Sequence, residues 1–343
     1  MLLEELSNAS GVAGNEGEVR EKLIAAVKDH VDEYRVDTIG NLITLKRGMG
    51  PEPRLKVMLA AHMDEVGLMI VAIEQSGHLR FRPVGGIDAR VLLSKMVYVG
   101  KDRIPGVIGV KPIHLLKPKE REQVLEIDQL TIDIGAKSQE EAQGLVKLGD
   151  YAAFATTFAT LGGTVTGKAL DDRAGCAVLA EIVQGGPYPG DLYAVFTVQE
   201  EVGLRGAMVA AYAVSPDLGF ALEGTVCDDA PKKKDLSPTT RLGGGPAITI
   251  MDRSVIADKR LVKLLMDTAR ELGIPYQIKQ PGVGGTDAGR IHISKEGVPS
   301  VAVAVPCRYI HSPVSLLDLS DFQNTVKLMK GALEKVPGWN ADT

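Results

Sequence analysis

The chain has 343 residues, 45% hydrophobic and 24% charged, with 39 Lys and Arg against 44 Asp and Glu for a formal net charge of −5 at pH 7. That apolar content supports large buried cores and excludes a disordered chain, and the length suits two folded units at roughly 150 residues each. The negative charge gives no attraction to nucleic-acid phosphates or an anionic membrane, so neither is an expected partner. Aromatic residues make up only 4%, with one Trp, which leaves few stacking platforms for bases or sugars.

Three cysteines (Cys176, Cys227 and Cys307) without a Cys-x-x-Cys spacing read as inert thiols of a reducing compartment. The first nineteen residues carry Glu4 and Glu5 and no apolar run before a cleavage site, so no signal peptide is expected. The longest apolar stretches are strand length and broken by charge, so none is expected to span a membrane. The expected location is the cytoplasm.

In chain order, residues 16–34 place Val19, Leu23, Val27 and Val31 four apart, predicting an amphipathic helix with an acidic first turn. YRVDTIGNLITLKR (34–47) predicts a hairpin turning at Gly40 and Asn41. LKVMLAA (55–61) is an apolar run of the kind buried on both faces. From about 66 to 163 the texture changes to short alternating segments between Gly, Pro and charged turns, with one weak helical stretch, SQEEAQGL (138–145). This predicts a small all-β domain, barrel or sandwich. After 164, strands and helices alternate again: a helix over 171–184, DLYAVFTV, a helix over 204–214, LGFALE, AITIMD, a helix over 258–273, VPSVAVAV and a last helix over 318–335. The expected fold class is therefore α/β. A mostly parallel central sheet is flanked by helices (1–65 plus 164–343), and a small all-β domain interrupts it at 66–163. The lysines at 232–234 read as a solvated loop.

Open α/β sheets gather their sites at the carboxyl ends of strands. Five strand-like segments end in His, Asp or Glu: His62 with Asp64, Asp171 with Asp172, Glu200 with Glu201, Glu223, and His311. Singly each has a plain explanation. A His after a strand is commonly a capping or core residue. Acids ahead of a helix serve as caps and favour its dipole. Glu223 is the exception, because an acid at a buried strand tip needs a positive partner. Taken together, two imidazoles and three carboxylates suit two borderline divalent ions such as zinc, with one carboxylate bridging. A pair about 3.5–4 Å apart acidifies a water and clamps a tetrahedral intermediate. Glu200, beside a ligand without being needed as one, fits the proton acceptor. Asp64 could orient His62 from behind.

The motifs AHMDE (61–65), LDDRAGC (170–176), QEEVGLRGA (199–207), GGTDAG (284–289) and RYIHSP (308–313), with the GVIGVKPIHLL and DIGA segments of the β insert, resemble the family-42 metallopeptidases. These are the tetrahedral, glutamyl and deblocking aminopeptidases, and the resemblance extends over nearly the whole chain. It implies a zinc-peptidase-like fold and Asp171 as bridging ligand. His62 and Glu223 would complete one metal site, and Glu201 and His311 the other. Glu200 would be the general base, Asp64 the orienting acid, and the Asp171–Asp172 peptide cis. It further implies two zinc or cobalt ions per subunit, with manganese as an alternative, a peptide substrate with a free N-terminus, and a PDZ-like or barrel-like insert used in dimerisation. Dimers in the family build twelve-subunit tetrahedral shells. Many members carry Asp where this chain has Glu223, a longer arm for the same carboxylate.

Other chemistries use parts of the same residue set. A carboxypeptidase or N-acyl-peptide deacylase would use the same metals, and Arg173, Arg205, Arg253 and Arg308 are available for a terminal carboxylate. A glycosidase needs two carboxylates and usually no metal, which leaves His62 and His311 idle. A non-catalytic scaffold leaves the whole set unexplained.

Overall fold

The computed structural model describes residues 1–230, 239–282 and 284–336. The lysine run at 232–234 and the surrounding PKKKDLSP segment lie outside the described residues.

The N-terminal part is α1 (Leu2–Asn8), α2 (Gly17–Val27), the hairpin β1 (Glu33–Val36) and β2 (Leu42–Lys46), and β3 (Lys56–His62). Next come β4 (Gly67–Ile73), β5 (Leu79–Val84), α3 (Ala89–Leu92), β6 (Met96–Val99), β7 (Ile104–Ile108), β8 (Ile132–Asp133), α4 (Gln139–Leu145) and β9 (Tyr151–Phe154). The chain then returns through β10 (Ala159–Leu161), β11 (Thr164–Gly167), α5 (Leu170–Gln184), β12 (Asp191–Thr197), α6 (Arg205–Val214) and β13 (Leu218–Cys227). It continues with β14 (Ala247–Thr249), α7 (Lys259–Glu271), β15 (Gln277–Lys279), α8 (Ala288–Ile291), β16 (Ser300–Arg308), β17 (Ser315–Asp318) and α9 (Leu319–Lys335).

The large sheet has the order β1-β2-β12-β3-β13-β16-β17-β11-β10, with β14 and β15 attached at β16. Its middle four strands, β12, β3, β13 and β16, are parallel, and both flanks are antiparallel. The α/β class holds, with parallel pairing concentrated where the sheet is buried on both faces. Alternation along β3 shows why: Val57, Leu59 and Ala61 enter the core under α1, α2, α5, α7 and α9, while Met58 and Ala60 face the core beneath α6 and α8. A second sheet, β4-β5-β8-β7-β6-β9, closes into a barrel around Leu68, Ile70, Phe81, Val97, Ile108 and Phe154. Closure leaves no free edge.

Two expected boundaries move. The helix expected over 16–34 stops at Val27, and Glu33–Val36 pairs with β2 instead. Val31 continues the spacing of four, but the polar residues around it bury nothing, and the hairpin partner decides. Ala159–Leu161 fell within the expected insert, yet it pairs with β11 at the edge of the large sheet, so barrel pairing ends at Phe154. Short alternating strands look alike in either sheet, and only the long-range partner separates them.

Candidate metal centre

The parallel strands bring the acids and imidazoles to one level. His62 ends β3 opposite Thr197 of β12, and Ala60 pairs with Ala221 of β13, which sets Glu223 level with His62. Glu223 was expected at a strand tip but lies inside β13, which continues to Cys227 alongside β16. β3 simply ends earlier, so the tip belongs to the neighbouring strand.

Asp171 approaches from α5. Its peptide to Asp172 is cis, and both residues depart from helical dihedrals. Gly224 makes this approach possible, since a Cβ there would lie 2.8 Å from the Asp171 Cα. Asp172 turns inward and accepts from the backbone N–H groups of His62 (3.1 Å) and Gly175 (2.8 Å), pinning the start of α5 to the end of β3.

Two groups form, each with its candidate ligand atoms within 4.8 Å of one another: His62, Asp171 and Glu223, and Asp171, Glu201 and His311. They share Asp171. Its Oδ1 lies 3.5 Å from His62 Nε2 and its Oδ2 lies 3.8 Å from His311 Nε2, so each imidazole faces a different oxygen of one carboxylate. Glu223 Oε2 is 3.6 Å from His62 Nε2. Each ring nitrogen Nδ1 is occupied behind the site, His62 donating to the Asp64 carbonyl at 3.1 Å and His311 to the Gly86 carbonyl at 2.9 Å. These bonds turn both Nε2 atoms toward the centre, where each would offer a lone pair to a cation once its proton is displaced. Gly86 follows β5, so the barrel's backbone positions one imidazole.

Asp64 differs from its expected task. Its carboxylate is 3.7 Å from His62 Nδ1 and instead accepts the backbone N–H groups of Glu200 (2.9 Å) and Glu201 (3.0 Å). The buried Glu16 accepts from Gln199 N at 3.2 Å. Two carboxylates thus hold three consecutive amides ahead of the Glu200 and Glu201 side chains. Glu200 Oε2 stands 3.9 Å from His62 Nε2.

The acids outnumber the cations, and their protonation shows it. Burial, reinforced by neighbouring acids against the pull of His62, raises Glu200 and Glu223 well above the carboxylate range and Glu201 to about 8. Burial also raises Asp171, but the hydrogen bond and charge of His62, with His311 and Lys279, outweigh it and hold this acid low. Such a pocket fits divalent cations: imidazole nitrogens and carboxylate oxygens converge with too little positive charge of their own.

Residues that strand-end reasoning did not single out include Gly224, Glu16 and Asp287. Asp287 is buried in the GGTDAG motif; its N–H donates to Glu223 Oε1 at 3.0 Å, and its Oδ2 accepts from Thr197 Oγ1 at 2.5 Å. The motif was visible in the sequence, whereas a backbone donor to a ligand is not.

A doubly flanked sheet carrying an acid–imidazole centre at the ends of its parallel strands, with a β-barrel inserted after the first of them, defines a metallopeptidase-like α/β fold. The model of the M42 glutamyl aminopeptidase family matches residues 40–328, and the chain belongs to that family. It is 35% identical to the lysyl aminopeptidase of Pyrococcus furiosus over 98% of this chain and 96% of that protein. Its structure is similar to the TET aminopeptidase of a marine-sediment Thaumarchaeota archaeon, with a TM-score of 0.93 and 37% identity over 98% and 95% of the two chains. It is also similar to the Pyrococcus horikoshii TET1 peptidase, described as assembling into a tetrahedron or a large octahedral shell, with a TM-score of 0.85 and 38% identity over 97% and 99%.

Proposed function

We propose that this chain is a dinuclear metal-dependent aminopeptidase acting on unfolded peptides. The observation that carries the reading is Asp171, one carboxylate shared by two ligand groups, each completed by an imidazole. His62, Asp171 and Glu223 would hold one cation; Asp171, Glu201 and His311 would hold the other. Bound divalent ions supply Lewis acidity toward the scissile carbonyl and lower the pKa of a water. Glu200 would then take a proton from the attacking water and return it to the leaving amine. Asp64 and Glu16 keep Glu200 in place through the backbone. Asp171 sits between the imidazoles and would hold both cations.

The surplus of carboxylates suits a substrate bearing a free α-ammonium. Of the arginines considered for a terminal carboxylate, three are engaged elsewhere. Arg173 is buried against Glu65, Arg308 pairs with Asp229, Arg205 bonds Gln199, and Arg253 is exposed. This favours an aminopeptidase over a carboxypeptidase. For assembly, the barrel's exposed Ile113, Leu115 and Val124 suit self-association. The reading places dimers through the barrel within a twelve-subunit shell in the cytoplasm; the Pyrococcus horikoshii relative is described as assembling into a tetrahedron or a large octahedral shell. Among the described residues no helix is long and apolar enough to cross a membrane.

The test is an aminoacyl-anilide and blocked-peptide panel run on metal-stripped protein refilled with zinc, cobalt or manganese. About two ions per chain and hydrolysis of free N-termini alone are expected. Full activity in chelator, or preference for blocked peptides, would refute the reading.

A further inference from the structure

Beside the centre lies a buried cluster that the proposed mechanism does not use. Glu65 follows the His62–Asp64 segment directly, and its carboxylate meets two cations: Lys168 Nζ at 2.6 and 2.8 Å and Arg173 Nη2 at 3.2 Å. All three side chains are at most 2% exposed. The cluster also reaches the N-terminal segment. Lys168 Nζ donates to the Ala9 carbonyl at 2.5 Å, Arg173 Nε to the Leu6 carbonyl at 3.2 Å, and Gly11 N to Glu65 Oε1 at 2.9 Å. A Cβ at Gly11 would sit 2.7 Å from both Arg173 Nη2 and Val19 Cγ2, so a larger residue there would push on the cluster.

As a device for stability alone the cluster is poorly built. Two cations share one carboxylate, and Arg173 Nη1 is buried with no hydrogen-bond partner among the described residues. Buried ion pairs of this kind are often matched or bettered by packed apolar side chains. Its placement gives it another use. Lys168 lies three residues before Asp171 and Arg173 two after it, so the cations clasp the segment that presents the shared carboxylate. Glu65 belongs to the loop that carries His62, whose Nε2 faces that carboxylate, and Asp64, which holds the Glu200 and Glu201 backbone.

We infer that Glu65, Lys168 and Arg173 are positioning residues that set the separation between Asp171 and the His62–Asp64 segment, and with it the geometry of both cation sites. This inference rests on the dinuclear reading of the centre. None of the three belongs to either ligand group. The cluster acts by fixing, before any ion arrives, the two segments whose side chains must converge on it, as supporting hydrogen bonds do around metal ligands generally.

The test uses full-length protein, stripped and titrated with cobalt(II), whose visible absorption reports ligand geometry. Glu65→Gln strands two buried cations and is prone to misfolding, so Lys168→Met is the primary variant; it keeps the Glu65–Arg173 pair. Lys168→Met is expected to stay folded by circular dichroism and to lose cobalt roughly 10–100-fold more readily in chelator competition. Its cobalt spectrum should shift, and kcat should fall with KM little changed. Leu265→Ala, a buried substitution on α7, is the control for general destabilisation and should leave the spectrum alone. A Lys168→Met protein with wild-type affinity and spectrum, whatever its Tm, would overturn the inference while leaving the metal centre intact. The same spectral shift in Leu265→Ala would overturn it too. If the wild-type protein took up no cobalt, the dinuclear reading would fail and this inference with it.

Discussion

The large sheet and the barrel divide the work unequally. All seven candidate site residues lie on or just after elements of the large sheet and its helices, and the barrel contributes no side chain to either ligand group. The barrel still reaches the site. The Gly86 carbonyl holds the His311 ring, and Phe154 and Val66 line the cleft beside Asp171. The difference follows from topology. Parallel strands all end on one side, so the residues after them converge without further design. A closed antiparallel barrel has no such common end and can lend only a wall or a backbone group. Chemistry that resides in the sheet should therefore fail by orders of magnitude when altered, and support lent by the barrel by small factors.

The largest effect is expected at Glu200. Glu200→Gln preserves shape and leaves both ligand groups whole, so metal content should stay near two ions per chain while kcat falls about 10²–10⁴-fold. A loss below tenfold in steady-state assays would mean that another group accepts the proton.

Asp171→Asn comes next. Because each oxygen of this carboxylate faces a different imidazole, both sites should weaken together, beyond the roughly 10–100-fold typical of substitutions behind a ligand. Metal analysis finding one site emptied and the other full would break the bridging role.

Metal removal should make stability depend on pH through the acids of the large sheet. In the metal-free protein Glu201 is raised to about 8, chiefly by burial, so the folded state binds a proton that the unfolded state releases near pH 4.3. The folded form then binds more protons, and stability falls as pH rises from about 4 through 8. Glu200 and Glu223 act in the same direction. Denaturant titrations of stripped protein should show that decline, and refilled protein should lack it because the ions replace the protons. A flat profile for stripped protein would contradict the charge picture of the centre.

Much of this site was legible in the sequence because apolar strands ending in His62, Glu201 and His311 mark themselves, and five spaced motifs ordered them. Legibility stopped where a role passes through the backbone or a distant partner. Asp64 looked like an orienting acid for His62, yet its carboxylate holds two amides of another loop, and the ring is held by its carbonyl. Glu223 looked like a strand end because its apolar run stops there, while pairing with β16 carries the strand on. Gly224, Glu16 and Asp287 matter through a missing Cβ, an amide acceptor and an amide donor. The fold followed the same pattern. The later helices, expected over 171–184, 204–214, 258–273 and 318–335, were placed within two residues, whereas the short strands β15 and β17 pair with partners outside their own segment.

The smallest effect tests the barrel's share directly. Gly85 has φ +86°, and a Cβ there would lie 2.9 Å from Val66 Cγ1 and 3.3 Å from the Glu201 Cβ. Gly135, in the loop after β8, has a similar φ of +79° with nothing within 4 Å. Gly85→Ala and Gly135→Ala should both destabilise by about 1–2 kcal/mol, the cost of a left-handed conformation for a residue with a Cβ. Only Gly85→Ala also presses on the segment that bears Glu201 and on the loop whose next residue holds His311. It should raise the dissociation constant of the more weakly held ion a few-fold, measured by calorimetric titration of stripped protein, while Gly135→Ala leaves both constants unchanged. Equal metal affinities in the two variants, at equal loss of Tm, would mean that the barrel loop lends the site nothing and that His311 is positioned by the large sheet alone.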